Sequence, residues 1–491
     1  MTMASKSRAH IAVVGAGLSG LRCADVLLQN GFQVSILEGR DRVGGRVHQT
    51  QLSNGHWIDM GPNWIHGTTG NVILDLAMDT GTGIDDIDEV SCAFDETGVK
   101  LDVAESLRYE TIMWETIDDA FAYSTASEAE IDPKKSLMDF FREKVPLKIP
   151  DDEPNAAAKR NTVYQICETW GAFIGSPVTK QSLKFFWLEE CIDDENLFCA
   201  GTYRKVLQRV AKPAGDKADI SFNTIVDSIT YKKEAKEKVT VHVKDGKIHE
   251  FDEVVVTVPL GWLQKNKNKA FDPPLPTSLT SAIDAISYGC LEKVYISFPE
   301  AFWRAKDDQP ETAKGFIQWV SPTYHPEHNA SRWPQEAVEL SSLGNDDAHP
   351  TLLFYTYGEQ SQWFTSELTK RPEKRDKTEF IIQYFKPYYS RLPNYMADAV
   401  VCQPVECVAT EWLNDELAGN GSYGNFQVGL ERGDEHIKTM REGLPDQGLW
   451  FAGEHTAPYV ALGTSTGAYL SGEAVGERIL EKYEELKFSG K

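Results

Sequence analysis

The sequence predicts an α/β fold built on a parallel sheet, and three observations lead to this prediction. A short apolar run at residues 10–14 is followed by a glycine-rich turn and by apolar residues at helical spacing across 18–27. A second apolar run at 32–37 completes a strand–helix–strand unit, a connection that joins parallel strands. Helical spacing across 71–199 then gives way to alternating strands after Gly201. The 491 residues are enough for about two to four domains.

The chain is acidic, because 50 Lys and Arg stand against 74 Asp and Glu, for a formal net charge of −24. This balance argues against nucleic acid as the main partner, since phosphate binding needs clustered basic residues. A negative field is compatible with a cationic ligand, although surface solvation alone also explains it.

The sequence carries no metal-binding or targeting signal. The eight cysteines include no C-x-x-C pair, so we predict no metal site and expect buried free thiols. The first ten residues are polar, and no stretch reaches the roughly 18 apolar residues of a membrane span. The last three residues are not a peroxisomal signal. We therefore expect a cytoplasmic protein without a membrane span.

The glycine-rich turn has the spacing of a dinucleotide-binding loop. Gly15 permits the tight turn, Gly17 lets a pyrophosphate approach the backbone, and Gly20 allows the helix to pack closely on the strand. The N-terminus of that helix faces the phosphates. Glu38 closes the second strand, where an acid accepts a hydrogen bond from a ribose hydroxyl. The unit predicts a Rossmann-like domain that binds NAD or FAD.

The next residues favour FAD. The stretch from Arg40 to Arg46 contains the pair Gly44-Gly45, which again allows the backbone to approach an anion, and Arg42 and Arg46 can neutralise phosphate. A basic surface turn is the alternative. This stretch resembles the double-glycine motif of the flavin-containing amine oxidase superfamily, and the resemblance implies FAD as the cofactor.

The segment Gly61-Pro62-Asn63-Trp64-Ile65-His66-Gly67 is similar to one in animal polyamine oxidases and spermine oxidases. In isolation it would indicate only core and turn. The resemblance implies that His66 lines the substrate tunnel near the flavin and that Trp64 borders the substrate.

The helical region has apolar spacing around 107–121 and 162–186, and it carries acidic clusters at 85–89 and 189–195. Such clusters are typical of a solvated face. The functional alternative is recognition of a substrate ammonium. Glu189 or Glu190 is the better candidate for that role, because both follow an aromatic run.

Strands are predicted at 220–223, 225–231, 239–243 and 251–259, with a hairpin turn at 244–247. This block resembles the second FAD-contacting segment of the family. The resemblance places Val226 and Pro259 beside the cofactor.

The apolar run at 290–298 predicts a strand that is interrupted by Lys293. A lone lysine is costly to bury unless it has a partner, so an edge position is one alternative. The resemblance implies instead that Lys293 holds a water against flavin N5. Four tryptophans could either pack in the core or line a channel: Trp303, Trp319, Trp333 and Trp363.

The C-terminal region resembles the family segments that close the flavin site. Tyr423 would form one wall of an aromatic cage, and Tyr459 a second wall. Ser422 stands where monoamine oxidases carry the cysteine that bonds the flavin, so noncovalent FAD is implied. A strand is predicted at 449–455, and it carries the family's Ala-Gly-Glu signature, which ends at Glu454. Gly463 opens a long helix, predicted to run through Leu480, whose N-terminus can face the flavin.

These motifs together predict the following cofactor contacts: Gly15, Gly17, Leu18, Ser19, Gly20, Glu38, Gly39, Arg40, Gly44, Gly45, Arg46, Gly61, Pro62, Asn63, Trp64, Val226, Pro259, Trp412, Gly453, Glu454, Gly463, Thr464, Ser465, Thr466 and Ala468. The predicted catalytic residues are Lys293, His66, Tyr423 and Tyr459, and the predicted substrate contacts are Trp64, Glu189 and Glu190.

The resemblance implies two interleaved domains. A discontinuous FAD-binding domain would span 1–85, 200–290 and 415–491. An α+β substrate domain, with a mixed sheet flanked by helices, would span 86–199 and 291–414.

The implied activity is FAD-dependent amine oxidation. Hydride would pass from the carbon beside the amine nitrogen to flavin N5, the imine would hydrolyse to an aldehyde, and O2 would reoxidise the flavin with release of H2O2. A polyamine or acetylated polyamine is the favoured substrate. Two other substrate classes are alternatives, a primary long-chain monoamine and an L-amino acid. A further alternative is a flavoprotein that is not an oxidase and that binds a partner. An NAD-dependent dehydrogenase fits only the first motif.

Overall fold

The computed structural model describes residues 9–87, 92–234, 237–304 and 313–488. Asp88 and Glu89, in the first acidic cluster, lie outside the described residues. The α-helices of the described residues are α1 (Leu18–Gln29), α2 (Val72–Asp79), α3 (Val103–Ser127), α4 (Leu137–Lys148), α5 (Ala156–Glu168), α6 (Gly171–Ile174), α7 (Arg204–Lys217), α8 (Leu260–Asn266), α9 (Thr277–Ala285), α10 (Gly358–Thr369), α11 (Lys374–Tyr389), α12 (Gly433–Glu442) and α13 (Ser465–Phe488). The strands are β1 (His10–Val14), β2 (Gln33–Leu37), β3 (Gln49–Gln51), β4 (Trp57–Asp59), β5 (Trp64–His66), β6 (Cys92–Phe94), β7 (Asn196–Phe198), β8 (Asp219–Ser221), β9 (Val226–Thr230), β10 (Val239–Val243), β11 (Ile248–Phe251), β12 (Glu253–Val256), β13 (Phe271–Asp272), β14 (Ser287–Tyr288), β15 (Leu291–Ser297), β16 (Phe316–Trp319), β17 (Gln335–Glu339), β18 (Thr351–Tyr357), β19 (Glu406–Ala409), β20 (Gly424–Asn425) and β21 (Leu449–Phe451).

A parallel five-stranded sheet, in the order β21-β12-β1-β2-β8, lies at the centre of one half of the molecule. Apart from the edge strand β8, its strands are largely apolar and buried, because both faces are covered, as parallel sheets require. In β1 the residues from Ile11 to Val13 are fully buried. Helices α1 and α13 pack against each other beside this sheet. An attached sheet in the order β11-β10-β9-β13 contains the predicted hairpin between β10 and β11.

A second large sheet has six strands in the order β19-β15-β18-β17-β16-β6. Its strands are antiparallel except for β6, which runs parallel to β16. Helices α10 and α11 pack on one side of it, around a core that contains Phe354 and Tyr384. The predicted α/β class, with a parallel sheet and a mixed sheet flanked by helices, is confirmed. The exact domain boundaries stay a prediction.

Three elements differ from the sequence prediction. The helical spacing at 162–186 is broken, because Gly175 adopts a left-handed φ of 73° after α6 and Pro177 follows. The last strand, β21, ends at Phe451, so Glu454 lies in a short 3-10 helix instead of on a strand. Helix α13 continues to Phe488, beyond the predicted end near 480. Within the described residues, no helix has the length and apolarity needed to cross a bilayer.

A buried carboxylate joins α13 to the parallel sheet. Glu253 on β12 is 1% exposed and lies 2.9 Å from the ammonium of Lys482 and 3.3 Å from that of Lys232. Trp450 Nε1 donates to Glu253 at 2.8 Å, and the hydroxyl of Tyr483 donates at 3.3 Å. Removing one member of a buried ionic group leaves its partners charged and unpaired.

We expect Glu253→Ala to lower the free energy of unfolding by about 3–5 kcal/mol, because two lysines lose their shared counter-charge. Glu250→Ala, at an exposed position on the neighbouring strand, is the matched control and should change it by less than about 0.5 kcal/mol. Urea unfolding followed by circular dichroism measures both. Equal urea midpoints for the two variants would show that the buried ionic group around Glu253 does not stabilise the packing of α13 on the sheet.

Candidate active site

A cavity of about 490 Å³ lies between the two large sheets. One side is formed by the carboxyl ends of β1, β2, β12 and β21, and the other by a face of the six-stranded sheet that includes Lys293 and Tyr355. The crevice outside the carboxyl ends of parallel strands is where open α/β sheets bind their ligands.

The glycine loop has the predicted geometry. Gly15 has a φ of 107°, which an L side chain rarely adopts, and a Cβ atom on Gly17 would meet no atom within 4 Å. The backbone at Gly17 is therefore open to a ligand. Gly20 does not line the cavity. A Cβ atom there would lie 2.1 Å from the carbonyl oxygen of Gly15, so this glycine permits the close packing of α1 on β1.

The N-terminus of α1 offers unused hydrogen-bond donors to the cavity. Leu18 and Ser19 line it, and the N-cap Gly17 supplies no side chain to the helix. The hydroxyl of Ser19 is buried without a hydrogen-bond partner among the described residues. A buried polar group without a partner is costly, and a phosphate at this helix end would satisfy it.

Glu38 lies at the end of β2 and is 6% exposed. Its two carboxylate oxygens accept the backbone N–H groups of Ala16 at 2.7 Å and Arg40 at 2.8 Å. Each oxygen has a second acceptor position, so the carboxylate is held in place and can still bind a ribose hydroxyl.

Arg46 lines the cavity, but its charge already has a partner. Its Nη1 lies 3.0 Å from the carboxylate of Glu454 and donates at 2.5 Å to the carbonyl oxygen of Ser422. Arg42, the other predicted phosphate neighbour, donates to carbonyl oxygens of its own loop at 3.0 and 3.1 Å. Since Arg46 and Glu454 neutralise each other, together they present a polar wall with no net charge.

Lys293 is buried, with 6% exposure, on the central part of β15 rather than at a sheet edge. Its ammonium donates to the carbonyl oxygen of Gly61 and to Oδ1 of Asn63. Burial lowers the pKa of Lys293, and the nearby carboxylate of Asp59 partly opposes this shift. Burial raises the pKa of Asp59. The two hydrogen-bond acceptors and the nearby carboxylate explain why this apolar strand tolerates a buried lysine.

Aromatic side chains border the cavity on several sides. Tyr423 donates its hydroxyl to the carbonyl oxygen of Phe173 at 2.6 Å, and burial raises its pKa. Trp64 donates from Nε1 to the hydroxyl of Tyr355 at 3.3 Å and stacks on Phe316 with ring centroids 5.6 Å apart. These bonds fix the orientation of each ring.

His66 and Glu189 are the two remaining titratable groups that both the sequence and the cavity identify. His66 Nδ1 lies 3.1 Å from Oδ1 of Asn196, and burial lowers its pKa. Glu189 accepts the backbone N–H of Phe426 at 3.0 Å, and burial raises the pKa of its carboxyl to about 8.

Besides Gly20 and Arg42, three further predicted site residues do not line the cavity. Glu190 is exposed, because the short 3-10 helix ends at Glu189 and the chain turns outward. Tyr459 donates its hydroxyl to a main-chain carbonyl at 3.1 Å and lies under the guanidinium of Arg441, 4.9 Å from its ring centre. Thr466 is 2% exposed and donates to Asn71 at 2.9 Å. The placement of these three is therefore corrected.

The other predicted residues, apart from Gly20 and Arg42, all line the cavity. None of the four tryptophans considered as channel residues does so, and Trp303 and Trp319 are fully buried in the core of the six-stranded sheet. The structure also adds residues that sequence reasoning missed. These lining residues are Trp114, Asp118, Phe121, Trp170, Phe173, Cys191, Asn196, Phe316, Glu336 and Tyr355.

The open glycine loop, the free helix terminus and the held carboxylate of Glu38 fit a dinucleotide. The cavity continues from there to a buried lysine and aromatic walls, where a second group can react. No cluster of metal-ligating side chains occurs in the part of the chain described here. Fold and site together define a dinucleotide-dependent oxidoreductase.

Comparison with known proteins identifies the family. The sequence model described as flavin containing amine oxidoreductase matches residues 18–480, so the chain belongs to this family. It is 27% identical over 486 residues to polyamine oxidase 4 of Oryza sativa subsp. japonica, an alignment that covers 95% of this chain and 88% of the relative. It is 28% identical to lysine-specific histone demethylase 1 homolog 3 from the same source, covering 94% of this chain and 53% of that protein.

A solved structure of a putrescine oxidase double mutant with redesigned cofactor binding has the same fold. The two superpose with a TM-score of 0.69 at 18% identity, covering 96% of this chain and 99% of the other. Membership of the family makes the protein a flavin-dependent amine oxidase, and its cofactor is FAD. The family acts on small-molecule amines with O2.

We expect Gly17→Val to abolish FAD binding and leave the fold intact, because the new side chain points into open space that the cofactor would fill. Its φ of −76° is suitable for any residue, so the substitution causes no backbone strain. The ratio of visible flavin absorbance to protein absorbance in the purified variant measures the loss. Gly215→Ala, also in open space but outside the cavity, should keep full flavin content; unchanged flavin in Gly17→Val would contradict the assigned loop.

Proposed function

We propose that the protein oxidises a polyamine or an acetylated polyamine. The observation that carries this proposal is the carboxyl of Glu189, a half-buried residue in the wall of an otherwise largely aromatic cavity, whose pKa is raised by desolvation. An ammonium beside it would form a charge-assisted hydrogen bond and return its raised pKa towards the ordinary range. A polyamine would place one nitrogen at the reacting position near Lys293 and His66 and a second nitrogen beside Glu189, so it would use both parts of the cavity.

The same environment prepares the reacting nitrogen. Burial lowers the pKa of two basic groups in the cavity wall, Lys293 and His66, because the charged form is poorly solvated there. A substrate amine placed among them experiences the same desolvation, which favours the neutral amine required for oxidation. FAD supplies the chemistry when bound, since it accepts hydride from the carbon beside nitrogen and passes electrons to O2.

Lys293 and His66 are proposed to place polar atoms at the reacting position. The two acceptors of Lys293 hold its ammonium group against the loop of Gly61 and Asn63, from which it can also orient a water. His66 is oriented by Asn196 at 3.1 Å. Tyr423 and Tyr355, fixed by their hydrogen bonds, would guide an amine between their rings.

We further propose that FAD is held without a covalent bond. Ser422 lines the cavity at the position where the resemblance predicts a cysteine in covalent flavoenzymes. Its hydroxyl accepts the backbone N–H of Leu291 at 3.2 Å, so it has a structural partner and no thiol to form a thioether.

A long-chain monoamine is the second candidate, because the aromatic lining offers it a large apolar contact surface. An L-amino acid has less support. The lining arginines, Arg40 and Arg46, are paired with Asp415 at 2.9 Å and Glu454 at 3.0 Å, so neither offers an unpaired charge to a substrate carboxylate.

Peroxide release from the purified yellow protein tests this proposal. We expect activity with spermine, spermidine or their acetylated forms, and a loss of about tenfold to a hundredfold in kcat/KM for them in Glu189→Gln, because a charge-assisted hydrogen bond is lost. Glu190→Gln is the matched control and should behave like the parent protein, since Glu190 is exposed. Acid precipitation of the same preparation should leave FAD in the supernatant. Rapid flavin bleaching by monoamines, with no response to any polyamine, would reject the substrate class.

Lys293→Met tests the role of the buried lysine. We expect slower anaerobic flavin reduction or slower reoxidation, and the loss of one ionisation from the pH profile of kcat/KM. The direction follows from burial, which lowers the pKa of Lys293 and brings its titration down from the alkaline range. Stopped-flow absorbance measures both half-reactions, with the exposed Lys180→Met as control. Unchanged rates of both half-reactions, together with an unchanged pH profile of kcat/KM, would contradict a role for Lys293 in the reaction.

A further inference from the structure

Glu292 is a buried carboxylate that the proposed reaction does not use. It directly precedes Lys293 on β15, and successive residues of a strand point to opposite faces of the sheet. Lys293 faces the cavity, whereas Glu292 is fully buried and is not among the residues that line it. A buried acid is costly without partners, so the partners of Glu292 indicate its role.

The hydrogen bonds of Glu292 lead to one short segment just beyond β19. Its Oε1 accepts the backbone N–H of Leu413 at 2.8 Å, and its Oε2 accepts the hydroxyl of Thr410. Thr410 Oγ1 in turn accepts the backbone N–H of Lys293 at 2.8 Å, so its own proton is free for the carboxylate. Glu292 therefore binds this segment with both of its oxygens.

These bonds stabilise the start of a single-turn 3-10 helix, Trp412–Asn414. The side chain at its N-cap position, Glu411, makes no capping bond. Glu292 supplies an acceptor from the neighbouring strand instead, since the first N–H groups of a helix need one. Burial raises the pKa of Glu292 to about 7, although hydrogen bonds from the Thr410 hydroxyl and from the main chain oppose this shift. Both its charged and its neutral form keep an oxygen that accepts an N–H group.

The short helix carries Trp412, a predicted cofactor contact that lines the cavity. Its Nε1 donates to the carbonyl oxygen of Met60 at 3.0 Å, and Met60 also lines the cavity. The chain then continues to Asp415, whose carboxylate lies 2.9 Å from the guanidinium of Arg40, another predicted cofactor contact. The segment that Glu292 binds is therefore part of the cofactor side of the cavity.

We propose that Glu292 is a positioning residue for FAD, which fixes the segment that carries Trp412 and so slows the release of the cofactor. The inference goes beyond the oxidation of any particular amine, and it rests on the proposed noncovalent binding of FAD. Glu292 acts through Trp412, because its own carboxylate lies outside the cavity. Two adjacent residues of β15 then serve the site from opposite faces, since Lys293 binds the loop of Gly61 and Asn63.

The rate at which FAD leaves the diluted holoenzyme, measured by the rise in flavin fluorescence, tests this inference. In Glu292→Ala we expect the rate to rise about tenfold to a hundredfold, because two buried donors lose their acceptor. Glu292→Gln should stay within about threefold of the parent, since its amide still accepts from Leu413 and can donate to Thr410. Glu416→Ala, at an exposed position of the same segment, is the matched control and should release FAD like the parent protein.

A double-mutant cycle separates the positioning of Trp412 from a general loss of stability. Trp412→Ala alone should speed the release of FAD. Adding Glu292→Ala to it should change the rate by less than about threefold, because the indole that Glu292 positions is already absent. A general structural role would instead give the same factor in both backgrounds, and that result would overturn the inference.

Thr410 offers a milder test if Glu292→Ala does not fold. Thr410→Val removes the hydroxyl that donates to Glu292 and keeps a branched side chain, so it should speed the release of FAD about threefold to tenfold. Thr410→Ser keeps the hydroxyl and should resemble the parent protein. Equal release rates for these two variants would contradict the inference.

The outcomes distinguish this inference from the proposals that precede it. Flavin that stays on the acid-precipitated parent protein would refute noncovalent binding, and the inference with it. Flavin that acid releases, together with an unchanged release rate in Glu292→Ala, would refute the role of Glu292 alone. The substrate class has no influence on either result, because release of FAD is measured without an amine.

Discussion

The cavity depends on one short segment, Asp59–Asn63, which is bound directly by side chains of β15 in the six-stranded sheet and by Trp412 just beyond β19. Tyr295 and Trp412 donate to main-chain carbonyls within it at 2.6 and 3.0 Å, and the buried ammonium of Lys293 donates to a third. Irregular backbone that is buried must find such partners. Because Gly61 in the same segment packs against the backbone of Arg46, the bonds also join the sheet to the double-glycine loop. These polar bonds therefore connect the cofactor wall of the cavity to its substrate wall.

How much of the fold and of the site could be predicted from the sequence depends on how far apart the interacting residues lie along the chain. The glycine loop at 15–20 was predictable because turn conformation and helix packing are decided within a few residues. Lys293 could be identified as unusual, but its partners lie more than two hundred residues away. Glu336 sits in a strand with no exceptional pattern, and only the register across β15, β18 and β17 brings it level with Lys293. Tyr459 was misplaced because sequence alone gave no sign that Arg441 would hold its ring.

The net charge of −24 first suggested a cationic ligand, and the structure narrows that suggestion to a few side chains. Most acidic residues are exposed and serve solvation. Glu189 and Glu336 differ because both are held in the cavity wall by a specific donor, the backbone N–H of Phe426 and the amide of Gln318. A charge at the surface is screened within about 10 Å at moderate salt, whereas one inside a cavity acts at close range. Placement therefore matters more for amine recognition than the total charge.

Under the proposed function, one cavity must meet two opposite requirements. The reacting nitrogen has to be neutral, and desolvation around Lys293 and His66 favours that form. The remaining nitrogens of a polyamine stay protonated, and a protonated nitrogen in the same apolar space would be strongly destabilised without a carboxylate. A carboxyl group held elsewhere in the cavity wall, as Glu189 is by the backbone N–H of Phe426, would resolve the conflict, because each nitrogen would then have its own environment.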